Sequence, residues 1–174
     1  MIMNAGLRKL ALTAHVACSV GWLGAVAGFL ALAVATLTTG NAQMVRAGYL
    51  SMETIARLAI VPLSIASLVT GLVQALGTSW GLFRHYWILF KLLINVFASI
   101  VLLMYMRTLS YFSDSVAHAT LSGADLLAAR SVSPVLHAGA AVVLLLVATV
   151  LAVYKPRGIT SYGLRKRERV KAAG

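Results

Sequence analysis

The chain has little charge and almost no acid. Of its 174 residues, 15 are Lys or Arg and 4 are Asp or Glu, so charged side chains make up 11%. A soluble domain carries about a quarter charged residues, and so few charges cannot cover a globule in water. The apolar segments contain no Asp, and Glu53 lies at the end of one, which argues against a carboxylate proton relay through the interior. Cysteine is nearly absent too. Cys18 stands alone, so an internal disulfide and a C-x-x-C metal site are excluded. No nucleophilic triad, phosphate loop, paired-carboxylate site, internal repeat or heptad array is visible.

What is present is apolar. Hydrophobic residues make up 60% of the sequence and the mean hydropathy is +0.90. A membrane helix needs about 20 mostly apolar residues, and four such segments occur, at about 10–37, 51–76, 86–106 and 133–154. Thr38-Thr39-Gly40-Asn41 and Gly77-Thr78-Ser79 punctuate the first two. Pro62 predicts a kink in the second. Lys155-Pro156-Arg157-Gly158 ends the fourth. Between the third and fourth, Leu121-Ser122-Gly123-Ala124-Asp125 and the Leu-Leu-Ala-Ala after it predict a short surface helix. The expected fold is all-α: an integral membrane four-helix bundle over residues 1–158, followed by a basic, mobile tail that gives a separate segment, 159–174. Arg8 and Lys9 precede the first apolar run, and Ala33-Val34-Ala35 resembles a cleavage site. That run is much longer than the roughly 7–15 residues of a secretory h-region, so it reads as a retained helix.

The net charge of +11 points to a membrane surface and not to nucleic acid, because seven of the fifteen basic residues lie in the last twenty positions. Arg8, Lys9, Arg84 and the tail fall on one side of an even-numbered bundle. Arg46, Arg107 and Arg130 fall on the other, offset by Glu53, Asp114 and Asp125. The bias places both termini in the cytoplasm, with anionic lipid as the partner of the tail.

Polar residues within the apolar segments are costly in lipid and mark candidate sites. Trp87, Lys91, Asn95 and Ser99 recur every four residues on one face of the third helix; snorkelling toward the nearby boundary is the competing account of Lys91. His15, Cys18 and Trp22 share a face of the first helix. Gly24 and Gly28 form a GxxxG pair there, which reads as a helix-packing signal. Arg57, Ser64 and Gly71 follow at seven-residue spacing on the second helix, with Ser67 and Gln74 nearby. At 1.5 Å per residue, His15 and Lys91 share an inner polar layer near Gln74. Glu53, Arg57 and His137, with Met52, Met104 and Met106, form an outer one. His15 and His137 then lie about 15–20 Å apart along the bilayer normal, so one haem bridged by both is not expected. His85 and His118 read as solvated.

Several of these residues carry a resemblance. Leu10-Ala11-Leu12-Thr13-Ala14-His15 and Gly21-Trp22-Leu23-Gly24 resemble the first helix of a bacterial family of membrane proteins catalogued as domain of unknown function 2269. Pro62, Thr70-Gly71-Leu72, Trp80-Gly81 and Trp87-Ile88-Leu89-Phe90-Lys91 resemble its middle. His137-Ala138-Gly139 and Tyr154-Lys155-Pro156-Arg157-Gly158 resemble its end. The likeness covers about residues 6–163. It implies a four-helix protein of the bacterial inner membrane and supplies no activity. A more distant likeness is to the HemJ-type protoporphyrinogen oxidases and the CopD-type copper-resistance proteins. His15, Trp87 and Lys91 fall where HemJ-type proteins have a first-helix histidine and a Trp…Lys pair, which implies a haem or porphyrin site. The Pro-Arg-Leu segment ending the first helix of those oxidases is absent. Ala35-Thr36-Leu37-Thr38 stands there instead, so the likeness implies binding more than oxidase activity.

Three readings compete. The first is a redox protein binding haem b or a porphyrin through His15, Trp22, Trp87, Lys91, Asn95 and Arg57, with His15 and His137 as separate candidate metal ligands. The second is a non-catalytic accessory subunit of a membrane complex or homo-oligomer. The third is copper handling through His137, His118 and the outer methionines, since imidazole and thioether suit Cu(I).

Overall fold

The computed structural model describes residues 3–77, 82–117, 122–156 and 158–165. Five helices account for most of them: α1 (Ala5–Thr38), α2 (Ala42–Gly77), α3 (Tyr86–Ala117), α4 (Gly123–Ala128) and α5 (Ser133–Tyr154). Apart from an isolated bridge between His85 and Ile159, no strand pairing occurs among the described residues. Four of the helical stretches are long and apolar enough to cross a membrane, and the protein is a membrane-embedded all-α bundle. α1 packs on α2 and α5, and α3 packs on the same two, so the four long helices form a ring in sequence order.

The helices start and stop where local chemistry permits. Asn4 caps α1 by accepting from the Leu7 N–H at 2.8 Å. Asn41 caps α2 by accepting from the N–H groups of Gln43 and Met44. Ser122 and Asp125 form a capping box that opens α4. α2 and α3 run well beyond the expected 51–76 and 86–106. α1, with 34 residues, is about 51 Å long at 1.5 Å per residue, against a hydrocarbon core of about 30 Å. The extra turns are amphipathic and not uniformly apolar, so a hydropathy pattern does not register them. Val45, Tyr49 and Met52 on α2, and Leu109, Ser113 and Val116 on α3, are buried at helical spacing. Their other faces carry Arg46, Glu53, Arg107 and Asp114.

Pro62 acts one turn upstream of its own position. It has no N–H to give the carbonyl four residues back, and residues Ala56–Ile60 widen into a π-turn in which the Val61 N–H bonds to the Ala56 carbonyl. One extra residue per turn rotates everything before it by about 100°. Arg57 therefore leaves the Ser64–Gly71 face on which seven-residue spacing placed it. Its side chain is 58% exposed and paired with Glu53 at 2.7 Å.

The two termini and the α2–α3 connection gather at one end of the bundle. The Met3 N–H bonds to the Gly77 carbonyl at 3.1 Å. The start of the tail, expected to be mobile, is tied down as far as Arg165. The Thr160 N–H bonds to the Arg84 carbonyl at 3.0 Å, and the Tyr86 N–H to that of Gly158 at 3.3 Å. The Thr160 hydroxyl donates to the Phe83 carbonyl at 2.5 Å. A Cβ at Gly163 would meet the Arg84 carbonyl at 2.7 Å, so only glycine permits this approach. Trp80, Gly81, His118, Arg157 and the basic residues from Lys166 onward lie outside the described residues.

Candidate functional site

Between the four long helices, at the end that holds the termini, lies a cavity of about 660 Å³, within the range of roughly 300–1,000 Å³ usual for small-molecule sites. His15 and Trp22 line it from α1, Ser67 and Gln74 from α2, Trp87, Lys91 and Asn95 from α3, and Ala148 and Ala152 from α5. Five of the six residues expected to hold a cofactor are thus brought to one space. Arg57 is the exception, because it lies ten residues from Ser67 toward the far end of α2, on the lateral surface beside Glu53 and Ser110.

α2 sets the orientation of His15. Its Nδ1 lies 3.1 Å from the Ser67 carbonyl and 3.2 Å from the Thr70 hydroxyl. A carbonyl can only accept, so this geometry selects the tautomer with the proton on Nδ1 and leaves Nε2 with its lone pair. Nε2 has no hydrogen-bond partner among the described residues. Gly71 makes room for the ring: a Cβ there would stand 3.0 Å from His15 Cε1. One turn along, the Ser19 and Ser67 hydroxyls meet at 2.8 Å. The seven-residue spacing signalled Ser64 and Gly71; that Gly71 seats an imidazole could not be read from it.

Three other polar side chains of the cavity, Lys91, Asn95 and Gln74, are half-buried. Lys91 has no carboxylate or hydrogen-bond partner among the described residues, and the Asn95 and Gln74 amides have none either. Deeper in the bundle, the Trp22 indole N–H and the Ser99 hydroxyl are buried without a partner among the described residues. Arg8 and Lys155 also line the cavity, and no described acidic residue does. Lys155 closes α5 in the left-handed region at φ 45°, where glycine is usual. Arg8, Lys155 and Gln74 reach the cavity without having been expected to hold a ligand. Taken singly, a charge at a helix end gives no signal that it faces inward.

His137 is elsewhere, near the start of α5. Its ring stacks on Tyr105 at 4.1 Å, and its Nδ1 lies 2.9 Å from the Ser133 carbonyl. The expected outer layer does not form one site. Met52 is fully buried while Met104 is 69% exposed, so these side chains face apart. Glu53 instead joins Arg57 and the Ser110 hydroxyl. Among the described residues no group of three His, Cys, Asp or Glu is placed to hold a metal ion.

A membrane bundle with a ligand-sized, cation-lined cavity between its helices is the class that fold and site define. Compared with protein-family models, with curated proteins and with solved structures, the chain matches none.

Proposed function

We propose that this protein binds haem b or a closely related porphyrin in the cavity at the termini end and serves a redox role in the membrane. The observation that carries this reading is His15: an imidazole with Nδ1 held by a backbone carbonyl and Nε2 unengaged, at the wall of a ligand-sized cavity. A hydrogen bond from the other ring nitrogen to a carbonyl orients histidines that ligate metals. The donor set fits the group. Trp22 and Trp87 offer flat apolar surface, and the small side chains of Ala148 and Ala152 leave room for a planar ring. Lys91, with Arg8 near the mouth, offers positive charge to carboxylates, which would offset the cost of an unpaired cation at this depth. When bound, the haem iron supplies one-electron chemistry; the protein binds, orients and excludes water. The HemJ-type likeness of His15, Trp87 and Lys91 supports the same choice.

The test is the visible spectrum of the detergent-purified full chain, oxidised and then reduced with dithionite. His15→Ala should remove the Soret band and His137→Ala should leave most of it. Absence of Soret absorption, even after growth with a haem precursor, would reject this reading in favour of the accessory-subunit one. One observation favours that alternative: Gly24 faces outward with nothing within 4 Å of an added Cβ, so it does not pack inside the bundle and could admit a neighbouring helix.

We place the protein in a bacterial inner membrane with the termini end in the cytoplasm, on the strength of the Lys and Arg bias and of the family likeness. A reporter fused after Gly174 should be active only as a cytoplasmic type. The tail binds anionic lipid at about 1 kcal/mol per basic residue near the surface.

A further inference from the structure

The residues that line the cavity from α2 and α3 are buried or half-buried. Those that are exposed stand on α1 and at the end of α5: Leu12, Val16 and Val20 with Thr149 and Val153, and Arg8 and Lys155 at the boundary. No residue of α1 before Trp22 and none of α5 after Ala148 is buried. The bundle is loosest where these two helices flank the cavity, and the cavity opens sideways between them. The rim is hydrocarbon. The Thr149 hydroxyl donates to the Leu145 carbonyl of its own helix at 2.8 Å, and the other rim side chains at this depth are Leu and Val. Val16 and Val20 lie about 12 and 18 Å along α1 from Arg8 at 1.5 Å per residue, inside a hydrocarbon core of about 30 Å. This opening therefore faces acyl chains and not water.

The opening leads to an excess of positive charge. Three of the four acids of the chain, Glu53, Asp114 and Asp125, fall toward the far end with Arg46, Arg57, Arg107 and Arg130. The other eleven of the fifteen basic residues fall on the side of the termini, where Glu168 is the one acid. Whatever Glu168 pairs with, one carboxylate cannot neutralise Arg8, Lys91 and Lys155, which all line the cavity. A cation held at this depth favours an anion beside it. We infer that the cavity takes an anionic phospholipid from the bilayer, its phosphate beside Lys91 and an acyl chain passing out between α1 and α5. The Asn95 and Gln74 amides, which line the same space, can donate to phosphate oxygens. Phosphatidylcholine is a poorer occupant, because its quaternary ammonium meets the same cations. The inference goes beyond the haem reading and does not rest on it; a porphyrin, with its own carboxylates, would compete for the space. It is also distinct from attraction of the tail to a charged surface, which salt screens.

The experiment places the full chain, produced without added haem precursor, in phosphatidylcholine vesicles. A minor share of the lipid is brominated on its acyl chains and is either phosphatidylglycerol or phosphatidylcholine. Bromine quenches indole fluorescence at contact, and Trp87, one turn from Lys91 on α3, lines the cavity. The measurement is made at about 1 M salt, where screening over about 3 Å suppresses surface attraction but weakens a partly buried pair less. Brominated phosphatidylglycerol should quench at a roughly fivefold lower share of the lipid than brominated phosphatidylcholine, the ratio expected of one basic side chain meeting an anionic lipid. Lys91→Met should bring the two lipids level, and Lys91→Arg should keep the preference. Ala152→Leu, which narrows the seam, should reduce it. Should Lys91→Met fail to fold, Lys91→Gln removes the charge and makes the same comparison. Equal quenching by both lipids in the wild type would overturn the inference. So would a preference that survives loss of the charge at position 91, one that Lys91→Arg fails to keep, or one that Ala152→Leu leaves undiminished. A missing Soret band rejects the haem reading and leaves this result as it stands.

Discussion

Among the described residues, the buried polar groups at the far end of the bundle have partners, whereas the half-buried Lys91, Asn95 and Gln74 around the cavity at the end with the termini have none. The Tyr49 hydroxyl, on a residue with no exposed surface, donates to the Ala129 carbonyl at 3.0 Å and accepts from the Ser131 N–H at 3.1 Å. Arg46 donates to the Val116 and Ala117 carbonyls at 2.6 and 3.0 Å, closing the C-terminus of α3. Arg130 reaches the Thr39 carbonyl at 3.0 Å. At the other end, Lys91, Asn95 and Gln74 surround open space. Both regions are made from the same four helices. The far end is closely packed, with Val45, Met52 and Leu109 fully buried. The other end keeps unsatisfied groups, which a sequence selected for stability alone would lose. Polar groups are expensive in lipid, so their concentration in one cavity is what the proposed ligand would offset.

The largest expected effect comes from breaking the closely packed end. A Cβ at Gly48 would stand 1.9 Å from the Thr36 hydroxyl oxygen, so Gly48→Ala forces α1 and α2 apart. We expect a loss of about 1–3 kcal/mol, as for overpacking elsewhere, read as a lower unfolding temperature in detergent. Thr36→Ala in the same chain should restore most of it. If Gly48→Ala unfolded at the wild-type temperature, the tight crossing would be wrong.

Tyr49→Phe comes next. It leaves the Ala129 carbonyl and the Ser131 N–H without their shared partner, at a cost of roughly 1–2 kcal/mol. Retained haem should not change, because the hydroxyl lies at the other end. Loss of the Soret band on this substitution would show that the two ends are coupled.

Lys91→Met should have the opposite sign. Removing an unpaired cation from the membrane should stabilise the ligand-free protein by about 1 kcal/mol, less than the roughly 2.5–3.5 kcal/mol assigned to a lysine at the bilayer centre. The same change should weaken haem retention without abolishing the band. A lower unfolding temperature would mean that Lys91 has a structural partner. Gly71→Ala, whose added methyl would crowd His15, should alter the Soret position while moving stability little.

The smallest effect is expected at Gly24. With nothing within 4 Å of an added Cβ, Gly24→Ala should leave monomer stability within about 0.5 kcal/mol of wild type. If it instead split a larger species on a sizing column, the exposed face would be an interface.

The sequence alone determined the class of the protein. Four apolar runs, few acids and a one-sided excess of basic residues leave a membrane bundle as the solution, because only lipid can cover such a surface and only helices satisfy their own backbone in it. It also determined that His15 and Lys91 lie at similar depth, since depth along a helix follows from counting residues. Tertiary structure decided which faces meet. The π-turn before Pro62 turned Arg57 away from the face that its spacing predicted, a rotation no side-chain pattern encodes. The GxxxG glycine Gly24 stayed exposed, while Gly48, outside any such motif, took the tight crossing. Amphipathic turns beyond the bilayer became helix because they found a core to bury against. That His15 rests on Gly71 and bonds to a carbonyl of another helix depends on how α1 and α2 pack, a contact between residues more than fifty positions apart.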